Sequence, residues 1–119
     1  TLDECLVIVP KAVFNMLQFD EKVCNDWHLY AVDYSLCTKR LGFDVCLIPM
    51  FVYHLSQGHS MSKKYFLTLE KVMEKHRKHY KQICTTMGDW STFYPLCIQR
   101  PRIWQFAKAG LEILFKIKK

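Results

Sequence analysis

The chain has 119 residues, 50% of them hydrophobic, and a formal net charge of +6. That is one domain's worth of sequence or part of one, and the apolar content excludes a disordered chain. The longest apolar run, VCLIPMFVY at 45–53, is too short to cross a bilayer as a helix.

In chain order, CLVIVP at 5–10 reads as a short buried strand ended by Pro10. KAVFNML after it suits one or two helical turns, and QFDEKVCND is a polar connection. Asp26 is placed as the N-cap of a helix from Trp27 to about Leu41, and Gly42 as its stop. Lys39 and Arg40 sit in its last turn, where the helix dipole favours cations. FDVCLIP and MFVYHLS read as second and third strands, and QGHSMS as a loop. Ser62 caps the next helix, read over 63–84 from apolar positions 65, 66, 69, 72, 73, 76, 80 and 83. TTMGDWSTFYP breaks that pattern, and RPRIWQFAKAGLEILFKIKK is a last amphipathic helix.

The charge is unevenly spread. Residues 1–62 hold four Lys/Arg against seven acids, net −3; residues 63–119 hold thirteen against four, net +9. A basic half of this kind suits an anionic partner such as a membrane surface, a diphosphate or nucleic acid. The competing reading is a solvated basic helix face. Six cysteines, none in C-x-x-C spacing and several inside apolar runs, read as reduced thiols in a cytosolic setting. The chain begins at Thr1 rather than Met, as a processed product or a piece of something longer would.

Two constellations carry chemistry. In WHLYAVD, His28, Tyr30 and Asp33 are spaced to line one edge of a cleft near a helix start, with Asp33 as a general base toward a hydroxyl. The simpler alternative is an Asp paired with a nearby Lys or Arg, or facing water. In VYHLSQGHS, His54 ends an apolar run and is placed as a metal ligand, with Ser56, Gly58 and Ser60 as donors to a phosphate. A satisfied core histidine is the plain alternative. Cys46, His54 and His59 lack zinc-finger spacing. His76 and His79 read as a basic face with His76 leaning inward.

The order of these features (LDECLVIVPKAVF, FDE, WHLYAVDYSLCTKRLGFDVCLIP, VYHLSQG) resembles the C-terminal half of the catalytic domain of family 2-like, GT-A-fold glycosyltransferases. The likeness spans residues 2 to 60. It is nearest the bacterial branch with a His-x-Tyr-x-x-Asp helix and a His-x-Ser-x-Gly loop. The resemblance implies an α/β fold: a partial GT-A-like mixed sheet with flanking helices over 1–62, then a basic helical region over 63–119. It implies an inverting transfer from a nucleotide-sugar donor to a glycan or lipid-linked acceptor, in surface polysaccharide synthesis. Asp33 would be the base. Trp27, His28 and Tyr30 would shape the acceptor and sugar pocket. Ser56 and Gly58 would lie near the diphosphate, and His54 would help hold Mn²⁺ or Mg²⁺.

The Asp-x-Asp that carries most of the metal in such enzymes is absent from this chain, so the chain is expected to be the acceptor-side part. The expected location is cytoplasmic, peripheral at the inner membrane face, with the terminal helix docking on anionic lipid. A second copy is a further expected partner, covering an exposed sheet edge. The alternative function is a non-catalytic module that binds a membrane or nucleic acid through its basic helices. Trp90, Trp104 and Tyr80 would then be available for stacking. No known nucleic-acid motif is present, which makes nucleic acid the weaker partner.

Overall fold

The computed structural model describes residues 6–53, 55, 62–85 and 87–99. Its elements are α1 (Lys11–Met16), α2 (Tyr30–Arg40), α3 (Lys63–His76), β1 (Gln82–Thr85), β2 (Gly88–Ser91) and α4 (Leu96–Gln99). The expected mixture of helix and sheet is present, but its strands lie elsewhere. Residues 6–10 and 43–53, read from sequence as strands, are irregular. A strand needs a neighbour for its backbone hydrogen bonds. Among the described residues neither segment has one. Leu47, Phe51 and Tyr53 are left largely exposed.

The α2 helix starts three residues later than its sequence suggests. Leu29 is its N-cap, in the left-handed region at φ 65°, and offers no side-chain cap. That conformation costs a non-glycine residue about 1–2 kcal/mol. Leu29 is buried in the core, which offsets the cost. Asp26 therefore caps no helix. Its carboxylate accepts the Trp27 N–H at 2.9 Å and pairs with Lys64. The C-terminus is as expected. Gly42 at φ 86° donates to Lys39 O, and Phe43 donates to Thr38 O, the two bonds of a Schellman stop.

Ser62 caps α3 as expected, its Oγ accepting the Tyr65 N–H at 3.2 Å. The helix ends at His76, not at 84. His79 and Tyr80 both donate to His76 O in a closing turn. The chain then forms an antiparallel hairpin in which Ile83 lies directly opposite Trp90. Both are buried, so the apolar positions 80 and 83 that extended the helical rhythm serve a strand and its approach instead. At Gly88, φ 140°, an added Cβ would stand 3.4 Å from the Trp90 ring, in a conformation that L side chains rarely adopt.

One core joins these elements. Leu29, Val32 and Leu36 from α2 meet Tyr65, Leu69, Val72 and Met73 from α3, with Ile83, Trp90 and Leu96 closing the far side. Residues on both sides of position 62 thus share a single core. Leu69 lies at its centre with no exposed surface. Leu69→Ala is expected to lower unfolding free energy by about 2–5 kcal/mol, read by urea denaturation.

Candidate functional site

The α2–α3 contact is apolar along Val32 and Leu36 but polar one residue over, at Asp33. Its side chain is buried, and both carboxylate oxygens are occupied. Oδ2 accepts from Lys75 Nζ at 2.8 Å and Oδ1 meets His76 Nε2 at 2.7 Å. A carboxylate only accepts, so Nε2 carries the proton, which leaves Nδ1 as a buried nitrogen without a partner among the described residues. Lys75 reaches a second carboxylate, Asp20 Oδ2, at 2.9 Å. Asp20 belongs to the Phe-Asp-Glu stretch after α1, and Asp33 to α2. Lys75 and His76 close α3.

Asp20, Asp33 and Lys75 border an open cavity of about 670 Å³, whose lining also includes Phe19, Tyr34 and Cys37. Phe19 packs on Tyr34 at 4.7 Å between ring centres, and the Tyr34 hydroxyl donates to Leu17 O, which fixes the wall. The site is thus part aromatic, part carboxylate, with one ammonium between two acids. Such a lining suits a ligand with hydroxyl groups and apolar faces.

Electrostatics follow from the contacts. The hydrogen bond from Lys75 is the chief reason that the Asp20 carboxyl lies below its ordinary value. Burial pulls Lys75 down, but hydrogen bonds to Asp33 and Asp20 outweigh it and its net shift is upward. Burial, and then the Asp33 charge, push the Cys37 thiol up. Cys37 therefore stays protonated at neutral pH and is no activated nucleophile. The pH dependence of stability follows. Asp20 contributes above its ordinary value of 3.8, and the contribution is lost as pH falls through the lowered folded value. Lys75 contributes below 10.5, and the contribution is lost as pH rises through the raised folded value. Melting temperature is expected to fall at both extremes, and both falls should shrink in Lys75→Met.

Asp33, Cys37 and His76 place one donor atom each within 4.8 Å of one another. A thiol, an imidazole and a carboxylate suit zinc rather than Mn²⁺ or Mg²⁺. Here the Lys75 ammonium already supplies the cation beside Asp33, and Cys37 is held as the thiol. The cluster therefore does not fit the expected Mn²⁺ or Mg²⁺. The residue placed as that ligand, His54, lies outside the described residues, as do Ser56 and Gly58.

The other expected site residues do not converge on Asp33. His28 is buried at the opposite end of α3, where Nε2 lies 3.4 Å from Ser62 Oγ and the ring meets Tyr65 edge-on. From Tyr65 to Lys75 the α3 axis rises about 15 Å. The single cleft edge expected of His28, Tyr30 and Asp33 is therefore divided. Tyr30 is half-buried with its ring edge-on to Phe19, on the cavity side. Trp27 is 69% exposed and tilts over His28 at 5.0 Å. Trp90 is buried, and Tyr80 is half-buried with its hydroxyl bonded to Leu36 O. Neither is presented for base stacking, and Trp104 lies outside the described residues. His76 faces Asp33 while His79 is exposed, so the two do not share a ligand.

Asp20, Cys37, Lys75 and Phe19 were not singled out by sequence reasoning as site residues. The only signal for Asp20 was its place in FDE. Lys75 carried none, being one of thirteen cations in a basic half. Among the described residues no helix is long and apolar enough to cross a membrane, and no two cysteines form a disulfide. No protein-family model matches the chain, nor does any curated protein or solved structure.

Proposed function

We propose that this chain is the acceptor-side part of an inverting glycosyltransferase, with Asp33 as its general base. The observation that carries the reading is a buried carboxylate, held at both oxygens, on the wall of a cavity about 670 Å³ in volume. Each oxygen has a further lone pair beyond the one bonded to Lys75 or His76. An acceptor hydroxyl in the cavity would donate there. In the transfer its O–H bond breaks and the proton passes to Asp33. The acceptor oxygen bonds to the anomeric carbon as the bond from that carbon to the diphosphate oxygen breaks. The electron pair departs with the nucleoside diphosphate.

Two further features support the reading. Exposed Trp27 over His28 offers a flat apolar face of the kind on which a sugar ring packs. The exposed apolar stretch 43–53 has the surface that a GT-A-like sheet in a nucleotide-binding half would cover. The expected setting is the cytoplasmic side of a membrane where glycans are built. The test is release of nucleoside diphosphate from a nucleotide-sugar by the natural full-length protein. Release that rises with added glycan acceptor supports the reading. Release of nothing across the common donors and acceptors overturns it.

A further inference from the structure

Three separate segments meet at one ammonium. Lys75 Nζ lies 2.9 Å from Asp20 Oδ2 in the stretch after α1, 2.8 Å from Asp33 Oδ2 on α2, and is itself on α3. A carboxylate turns easily about its last torsion. With His76 on one oxygen and Lys75 on the other, Asp33 cannot turn without breaking one of two short charge-assisted bonds. The same ammonium draws Asp20 in, and with it Phe19, which also lines the cavity.

We infer that Lys75 is a positioning residue for sugar transfer: it fixes the Asp33 carboxylate toward the acceptor and clamps the Phe19–Asp20 segment beside it at the cavity. The inference rests on the reading of Asp33 as the base. Its physical logic is geometric: with Lys75 on one oxygen and His76 on the other, the Asp33 carboxylate is held in one orientation, and because Lys75 is shared with Asp20 the same ammonium ties the segment after α1 to α2.

The experiment compares wild type, Lys75→Met, Lys75→Arg, Asp33→Asn and the Asp33→Asn/Lys75→Met double variant. All are made in the natural full-length protein and assayed with nucleotide-sugar and glycan acceptor across pH. Lys75→Met is expected to lower kcat about 10-fold or more with donor KM unchanged. Lys75→Arg should recover most of the loss. Adding Lys75→Met to Asp33→Asn should lower kcat no further, because Lys75 acts through Asp33. A Lys75→Met protein with wild-type kcat, beside an inactive Asp33→Asn, overturns the positioning role and leaves the base reading standing. A fully active Asp33→Asn overturns the base reading and this inference with it. If Lys75→Met does not fold, Asp20→Asn decides. Raised acceptor KM with faster hydrogen exchange over residues 17–22 supports the clamp, and wild-type values for both overturn it.

Discussion

Asp33→Asn is expected to cut turnover by about 10²–10⁴-fold while donor binding persists. The substitution is chosen for what it keeps. Asparagine has the shape of aspartate and still offers an oxygen to Lys75. Its amide nitrogen then faces His76 Nε2, which becomes the acceptor by moving its proton to Nδ1. That nitrogen is buried without a partner, so the new N–H adds a stability cost of about 1–3 kcal/mol. Turnover should be lost in a protein that still folds, because an amide takes no proton from an acceptor hydroxyl. Parallel steady-state kinetics, donor titration and melting separate these effects. Near-normal turnover would leave Asp33 as an ionic tie between α2 and α3 and nothing more.

Asp33→Ala should behave differently, and the contrast is the second large effect. Among the described residues, it removes the one acceptor facing His76 Nε2 and one of the two carboxylates that Lys75 bonds. Breaking a buried pair by deleting one partner costs about 3–5 kcal/mol. The lower end applies here, since Lys75 retains Asp20 and its side chain is 22% exposed. Chemical denaturation should therefore place Asp33→Ala about 3 kcal/mol below wild type, at or beyond the upper end of the cost of Asp33→Asn. An Asp33→Ala protein as stable as wild type would mean that the carboxylate's contacts with Lys75 and His76 contribute little.

How far the sequence announced this structure depends on the range of the interaction. Local chemistry was legible. The Gly42 stop, the Ser62 cap, the short turn after Pro10 and the core face of α3 all follow from residues within a few positions of one another. Long-range pairing was not. The helical rhythm of 63–84 was read through its last two apolar positions because Ile83 and Trp90 meet only across a hairpin. The strands read at 5–10 and 43–49 have the right residues, but strand geometry depends on neighbours that the described residues do not supply. Leu29 in a left-handed conformation could not be foreseen, since leucine rarely adopts it and only burial in the assembled core makes it tolerable.

The site divides the same way. Asp33 stood out because an acid is unexpected among the apolar and aromatic positions of α2. The plainer reading given to it in the sequence, an Asp paired with a lysine, is what the fold shows, and the same side chain lines an open cavity. Its partners lie more than forty positions away at Lys75 and His76. No local pattern marks one lysine of a basic helix as the one that turns inward.

The most direct test of Asp33 as the base is a crystal structure of the natural full-length protein with acceptor glycan and an unreactive donor analogue bound. The account predicts an acceptor hydroxyl in the cavity, about 2.6–3.2 Å from an Asp33 oxygen, with Lys75 still bridging to Asp20. A glycan seated elsewhere, with Asp33 still sealed between Lys75 and His76 and no hydroxyl in reach, would contradict it.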